Sequence, residues 1–443
     1  MHIQNKHRFD SIHAKGTALT DNSKKARPLN ILIVHQYFLD ANGAGGTRWN
    51  EFSKFWSQAG HNVTVLAGMV DYNTGRKLEK YRWKYICKER TQAGVTVYRC
   101  HVSQKYNSSF LGRAWAYFSF AFSSTIAGLF FAKRPDVILA TSPPLTVSTT
   151  LNWLGRLRRR PTIFEVRDLW PESALDTGVL KPGRLATMLF KMEAKAYRRA
   201  KWINVLTPAF ERKLIDSKGV DQNKISMIPN GADPDFFKPS DRNNYVRKEL
   251  GLTEKFVVGY FGAHGRANHL NQLLDVAAEL KSRAPDVQLM FVGGGMEKDD
   301  LIDRAKREQL DNITFVDPVS KSKVGDYVNA TDVCTAVLMK NDTFKTVYPN
   351  KVFDYMCCER PIILGIDGVA KELVLNAQAG IFVEPENPQA FIDAVLKLKN
   401  DPAMAETMAK SGRKYVLEKF TRENLANEYL EIVTQIATKS AKR

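Results

Sequence analysis

An α/β protein of two doubly wound domains is the fold the sequence predicts, and three observations carry the expectation. The chain is 443 residues long, enough for two or three domains with cores of their own. Short apolar runs alternate with amphipathic stretches in two successive series, one on each side of Pro229-Asn230-Gly231-Ala232-Asp233-Pro234. Such alternation builds parallel sheets flanked by helices. Glycine-bearing loops follow several of the runs, at the strand ends where sheets of this kind bind ligands.

Composition bounds the partners. The hydrophobic fraction of 44% is that of a globular protein. A net charge of +18, from 65 Lys and Arg against 47 Asp and Glu, calls for an anionic partner: nucleic acid, acidic lipid headgroups or a phosphorylated small molecule. Cys87, Cys100, Cys334, Cys357 and Cys358 show neither a C-x-x-C pair nor metal-ligand spacing. They read as reduced thiols, which points to a cytosolic face. Residues 1–29 are polar and basic without an apolar core, and read as a disordered tail rather than a signal peptide.

The first domain is expected over 30–228. It opens with the apolar run Leu29–Val34, then the loop Gly43-Ala44-Gly45-Gly46-Thr47-Arg48, then a helix face of Trp49, Phe52, Phe55 and Trp56. Glycines there let backbone approach a ligand closely. Further strands are expected at 63–67, 95–102, 136–141, 162–167 and 202–207. Two loops fall at their carboxyl ends, Ser142-Pro143-Pro144 and Asp168-Leu169-Trp170-Pro171-Glu172. Asp168 and Glu172 are candidate polar groups at a cleft, although an Asp before a helix also serves as an N-cap.

Residues 114–131 carry no charge, which leaves three readings: a buried helix, an interfacial helix or a membrane span. Between Gly155 and Lys201 there are 12 Lys or Arg against 5 Asp or Glu. The run Arg156–Arg160 within it reads as a patch for anionic lipid or a lipid-linked phosphate, the alternative being an ordinary solvated face.

The second domain is expected over 229–418. Its strands fall at 256–261, 287–292, 312–317, 332–338, 361–365 and 380–383, with helices at 269–282, 296–309, 320–330, 351–358, 369–377 and 388–398. A final helix at 422–436, within a segment 419–443, puts Leu425, Tyr429, Ile432 and Val433 on one face. The stretch Asn341–Gly365 is the most informative. Tyr348-Pro349-Asn350 turns the chain into a helix that begins at Lys351. Free N–H groups and a cation at a helix start can hold a phosphate. Asp354, one turn on, can accept two hydrogen bonds from a vicinal diol. The competing reading is a surface i, i+3 ion pair.

These motifs together resemble glycosyltransferase family 4, whose GT-B fold sets two Rossmann-like domains around a central cleft. The resemblance covers nearly all of residues 30–436. It rests on Gly45-Gly46, S-P-P-L at 142–145, F-E-V-R-D-L-W-P-E at 164–172, N-G-A-D at 230–233, G-A-H-G-R-A at 262–267 and P-N-K-V-F-D-Y-M at 349–356. Within the family they are most similar to the branch typified by N-acetyl-L-fucosaminyltransferases of surface-polysaccharide synthesis.

The resemblance implies that Arg266 and Lys351 hold the donor diphosphate and that Asp354 binds the ribose. It implies that Gly45 and Gly46 close over the donor and that 316–320 meet the base. Asn230, His264 and Asn350 join the substrate-binding set, and Asp168 or Glu172 orients or deprotonates the acceptor hydroxyl. The implied enzyme is retaining and needs no metal and no cofactor; the chain shows no strand-flanked D-x-D site. It would use a UDP-sugar donor and a polyprenyl-diphosphate-linked acceptor, peripherally on the inner face of the cell membrane.

Two positions depart from the family pattern. Thr346 stands where an acid is usual, and Asn268-His269-Leu270 lacks the lysine that often follows the Arg266 position. Two rivals remain: a GT-B-fold sugar-nucleotide 2-epimerase without an acceptor, and a nucleic-acid-binding protein. The second lacks the aromatic-and-basic strand patterns and DNA-reading helices of that class.

Overall fold

The computed structural model describes residues 27–39, 47–70, 75–107, 110–176, 178 and 180–441. Gly45, Gly46 and the basic tail before residue 27 lie outside the described residues. Within them the first lobe runs β1 (Asn30–Val34), α1 (Arg48–Gln58), β2 (Asn62–Gly68), β3 (Ile86–Arg90), β4 (Thr96–Cys100), α2 (Phe110–Phe130) and β5 (Val137–Thr141). It continues through α3 (Val147–Arg158), β6 (Thr162–Val166), α4 (Glu172–Asp176), α5 (Arg184–Arg199), β7 (Trp202–Val205), α6 (Pro208–Asp216) and β8 (Ile225–Met227).

The second lobe holds α7 (Tyr245–Glu249), β9 (Phe256–Phe261), α8 (Asn271–Arg283), β10 (Val287–Val292), α9 (Lys298–Arg307), β11 (Ile313–Val316) and α10 (Lys321–Asn329). After these come β12 (Val333–Val337), α11 (Asn350–Cys357), β13 (Ile362–Gly365), α12 (Val369–Asn376), β14 (Gly380–Phe382), α13 (Pro388–Asn400), α14 (Pro402–Lys419) and α15 (Arg422–Ala441).

The strands form two sheets, ordered β3-β4-β2-β1-β5-β6-β7-β8 and β11-β10-β9-β12-β13-β14. Every pairing is parallel except β3 with β4. Two parallel sheets covered by helices are the doubly wound pair expected from the sequence. The central strands are apolar throughout because both faces are covered: all five residues of β5 and all six of β10 are buried.

Several elements were not anticipated, α7 within a polar stretch among them. Edge strand β3 reads Ile-Cys-Lys-Glu-Arg and is only half covered, so its composition resembles a loop. β8 is three residues long. α14 buries only Ala409, Gly412 and Val416, too thin a stripe to stand out as a period.

The uncharged stretch resolves into α2, which has two different faces. Ala116, Phe120, Ser123, Ser124 and Ala127 are buried, whereas Trp115, Phe118, Phe122 and Phe130 are exposed. Inward hydroxyls find acceptors within the lobe: Ser123 Oγ donates to the His101 carbonyl at 2.7 Å and Thr150 Oγ1 to the Ala121 carbonyl at 3.0 Å. Gly128 lets α3 approach, since a Cβ there would lie 2.6 Å from Leu154 Cδ1. Arg158 then caps the end of α2, donating to the carbonyls of Gly128 at 2.9 Å and Ala132 at 3.2 Å. Among the described residues no helix is long and apolar enough to cross a membrane.

The last helix, α15, returns to the first lobe. Tyr429 sits among Trp49, Phe52 and Trp56 with ring centroids 5.8–6.3 Å away, and Trp56 Nε1 donates to the Ala426 carbonyl at 2.7 Å. Leu425, Val433 and Ile436 complete this shared core. Aromatic pairs of this geometry each add about 0.5–1.5 kcal/mol beyond the area they bury.

Candidate active site in the interlobe cleft

The chain passes between lobes twice, and the two passages are bonded to each other. Ala232 N–H donates to the Phe420 carbonyl at 3.0 Å, and Arg422 N–H to the Ala232 carbonyl at 2.9 Å. Gly231 makes this possible, because any Cβ would run into the Phe420 carbonyl. Arg422 Nε donates to the Gly231 carbonyl at 2.7 Å. From the first lobe, Arg48 donates to the carbonyls of Ile228, at 2.8 Å, and Pro229. Half-buried Asn230 lies within this junction.

Arg48 can be buried there because Glu165 accepts from its Nη2 at 3.0 Å. Glu165 also accepts from Trp49 Nε1 at 2.9 Å, Thr141 Oγ1 at 3.0 Å and Asn204 Nδ2 at 3.1 Å. Both oxygens of this buried carboxylate are thereby matched to donors.

In the second lobe, β9 and β10 end in loops pressed backbone to backbone. His264 N–H donates to the Gly294 carbonyl at 2.9 Å, and Gly262 N–H to the Val292 carbonyl at 3.0 Å. Gly293, at φ +147°, would drive a Cβ into the Gly262 carbonyl. Lys298 pins the neighbouring turn, with Nζ 3.0 Å from the Gly293 carbonyl, 3.2 Å from that of Val316 and 2.6 Å from Asp317 Oδ1.

Lys351 reaches this loop from the first turn of α11. Its Nζ lies 3.9 Å from the Tyr260 ring centroid and would be 3.0 Å from a Cβ at Gly262. Burial pushes its pKa down to about 7; the attraction of the ring for a cation does not offset the loss of water. Arg266, just past the same loop, is exposed. Neither Arg266 nor Lys351 pairs with a carboxylate among the described residues. Asn350, the first residue of α11, is exposed.

One turn along α11, Asp354 Oδ1 is buried with no hydrogen-bond partner among the described residues. Burial raises its pKa to about 7, opposed by the charges of Arg422 and Lys321 and assisted by those of Glu51 and Asp233. Those residues form the polar bridge between lobes. Lys321 Nζ donates to Glu51 Oε1 at 2.6 Å and to Thr47 Oγ1 at 3.1 Å. Arg422 Nη1 donates to Thr47 Oγ1 at 2.7 Å and also pairs with Glu51. A third tie is Thr207 Oγ1 donating to the Thr346 carbonyl at 2.7 Å. The Thr346 hydroxyl turns back to the Thr343 carbonyl at 2.6 Å.

Other expected site residues are placed differently. The His264 ring has no exposed surface; it lies among Tyr260, Phe291 and Phe315 with centroids 6.1–6.5 Å away. Burial, then the charges of Lys298 and Lys351, lowers its pKa to about 4. Both ring nitrogens are buried without a hydrogen-bond partner among the described residues, and the His264 backbone shapes the loop. Glu172 pairs with Lys218, which also holds Glu193 at 2.8 Å, and its Oε2 is buried without a hydrogen-bond partner among the described residues. Asp168 accepts from Ser173 Oγ at 3.0 Å, and burial raises its pKa.

The sequence reading missed Arg48, Glu51, Glu165, Lys321 and Arg422. Their chemistry depends on partners more than 100 residues away, and no local spacing marks it. The one local hint was Arg48, at the end of the glycine-rich segment.

Two Rossmann-like lobes with parallel sheets, joined by paired crossings, make the GT-B architecture of glycosyltransferases. Residues 43–231 match the glycosyl transferase 4-like domain and residues 241–415 the glycosyl transferases group 1 domain, so the chain carries a glycosyltransferase domain in each lobe. It is 24% identical over 308 residues to the capsular polysaccharide biosynthesis glycosyltransferase CapM of Staphylococcus aureus, covering 68% of this chain and 77% of that protein. It also resembles a D-inositol 3-phosphate glycosyltransferase of Rhodococcus opacus, at 27% identity over 49% of this chain and half the length of that relative. Among solved structures, sucrose-phosphate synthase of Thermosynechococcus elongatus superposes with a TM-score of 0.71 at 19% identity, covering 93% of this chain and 100% of that one. Anabaena Alr3699/HepE in complex with UDP-glucose gives 0.68 at 19% identity, covering 92% and 100%. At such identities the superpositions establish the fold.

Proposed function

We propose that this glycosyltransferase moves a hexosamine-type sugar, a 6-deoxy sugar being one option, from a UDP donor to a polyprenyl-diphosphate-linked glycan. The product would enter O-antigen, capsule or exopolysaccharide synthesis. The observation that carries the reading is the placement of Arg266 and Lys351, two cations without carboxylate partners, beside a glycine-only backbone turn. As the glycosidic bond breaks, negative charge collects on the departing diphosphate. Fixed cations aimed at that charge supply much of the catalysis in a site of this kind, without recourse to a metal.

Asp354, with its open Oδ1, is suited to accept from the ribose hydroxyls, and 316–320 to meet the base. Asp168 is the better placed of the two carboxyls for the acceptor hydroxyl, since Glu172 is held by Lys218. Retention at the anomeric carbon follows the resemblance to family 4, and the N-acetyl-L-fucosaminyltransferase branch gives the sugar class. The UDP-glucose complex of the Anabaena protein supports a UDP donor, and the capsular relative supports a surface-polysaccharide acceptor. The exposed aromatic face of α2 supports work at the inner face of a membrane, where amphipathic helices seat aromatic side chains.

Melting-temperature titrations with UDP and with an oligonucleotide test the ligand, and a donor screen on membrane extract tests the reaction. Stabilisation by UDP alone, with product formed only when lipid acceptor is present, is expected. Stabilisation by the oligonucleotide alone would point to nucleic acid, and turnover without acceptor to an epimerase.

A further inference from the structure

Two adjoining hollows of about 280 and 410 Å3 lie between α3 and α5 on the outer face of the first lobe. They share Asn152 and Arg199 and form one groove from Ser148 to Lys201. Six cations line it: Arg156, Arg160, Lys191, Lys195, Arg199 and Lys201, and no carboxylate does. None of the six is in an ion pair among the described residues. Nearby Lys218 shows the usual alternative, since it holds two carboxylates.

Arg160 sits at the floor of this groove, its Nε buried without a hydrogen-bond partner among the described residues. Apolar side chains border the cations: Trp153 and Met188 line the groove, 49% and 47% exposed, and Leu157, next in the chain to Arg156, is 62% exposed. An ordinary solvated face would intersperse acids with its cations and would not ring them with large apolar side chains.

We propose that this groove binds the phosphate headgroup of an anionic membrane lipid while Trp153 and Leu157 enter the lipid interface. Charge complementarity selects the headgroup, and the rim selects a bilayer over a soluble phosphate. The assignment rests on the membrane-facing reading above and adds a defined site to it, away from the donor cleft.

The test is sedimentation of the full chain with vesicles of phosphatidylcholine, alone or mixed with phosphatidylglycerol. Each basic residue near an anionic surface is worth about fivefold in partitioning. The triple variant Arg156→Gln/Arg160→Gln/Arg199→Gln is therefore expected to lose about a hundredfold on mixed vesicles, with its melting temperature kept. A charge-matched control outside the groove, Lys181→Gln/Arg184→Gln/Arg198→Gln, should lose far less. Equal losses in the two variants, or no loss in the first, would overturn the site while leaving membrane binding standing. Binding of glycerol 3-phosphate or an oligonucleotide as tightly as vesicles would also overturn it. If the unaltered chain ignores every vesicle, the membrane reading itself fails.

Discussion

Lys351 should take up a proton when the nucleotide binds. Its pKa in the free protein is about 7 because burial removes water and no carboxylate replaces it. A diphosphate beside it restores the ordinary preference for the charged form, so binding above neutrality draws a proton from solution. The charged fraction of such a lysine falls from about 24% at pH ~7.5 to about 1% at pH ~9. UDP affinity should therefore weaken about 24-fold, or ~1.9 kcal/mol, over that interval. Asp354 also titrates near 7 but is mostly ionised throughout the window, so it contributes little. Titration calorimetry in two buffers of different ionisation enthalpy should report nearly one proton gained near pH ~8.5. Lys351→Arg, always charged, should flatten the profile. The same linkage has an opposite face in the free protein. With a folded pKa below the unfolded one, Lys351 costs stability at low pH, and that cost is relieved as pH rises from about 7 to about 10.5. An affinity constant within twofold from pH ~7.5 to ~9, with no buffer dependence, would refute the reasoning.

Arg266→Ala should lower kcat/KM roughly 10- to 150-fold, from the ~1.5–3 kcal/mol of a hydrogen bond to a charged group, while circular dichroism stays unchanged. Gly293→Ala should destabilise by about 2 kcal/mol or more, because φ is +147° and the Gly262 carbonyl fills the Cβ position; denaturant titration reads it. Tyr429→Phe should leave stability unchanged or raise it by up to about 1 kcal/mol, since the buried hydroxyl has no partner among the described residues; a fall above ~2 kcal/mol would mean that the hydroxyl is satisfied.

Alternation of apolar runs made the two sheets legible, since strands covered on both faces must be apolar from end to end. β3 escaped because an edge strand need bury only part of one face, and Ile-Cys-Lys-Glu-Arg does that with Ile86 and aliphatic stems. The 114–131 stretch left three readings because composition cannot say which face of a helix meets a neighbour. Gly128 against Leu154 settles that, and it is a tertiary fact. In the cleft, Lys351 and Asp354 were legible from one helical turn, but their chemistry was not. Both are shifted toward neutrality by burial that comes from the rest of the fold, and His264 is withdrawn into an aromatic pocket that no motif announces.

The departure at Thr346 has a counterpart in the bridge between lobes. Its hydroxyl is spent on its own turn and its carbonyl on Thr207, so the position ties the lobes where the family resemblance leads one to expect an acid. The opposite tie is Thr47, the residue before α1, which accepts from both Lys321 and Arg422. Lys321 starts the helix that follows the proposed base-binding segment, and Arg422 starts the helix that closes on the first lobe. Glu51 joins both. A carboxylate shared between two cations from different parts of the chain holds its geometry better than either pair alone. Glu51 therefore ties the start of α1 in the first lobe to the starts of α10 and α15 through two ion pairs at one carboxylate.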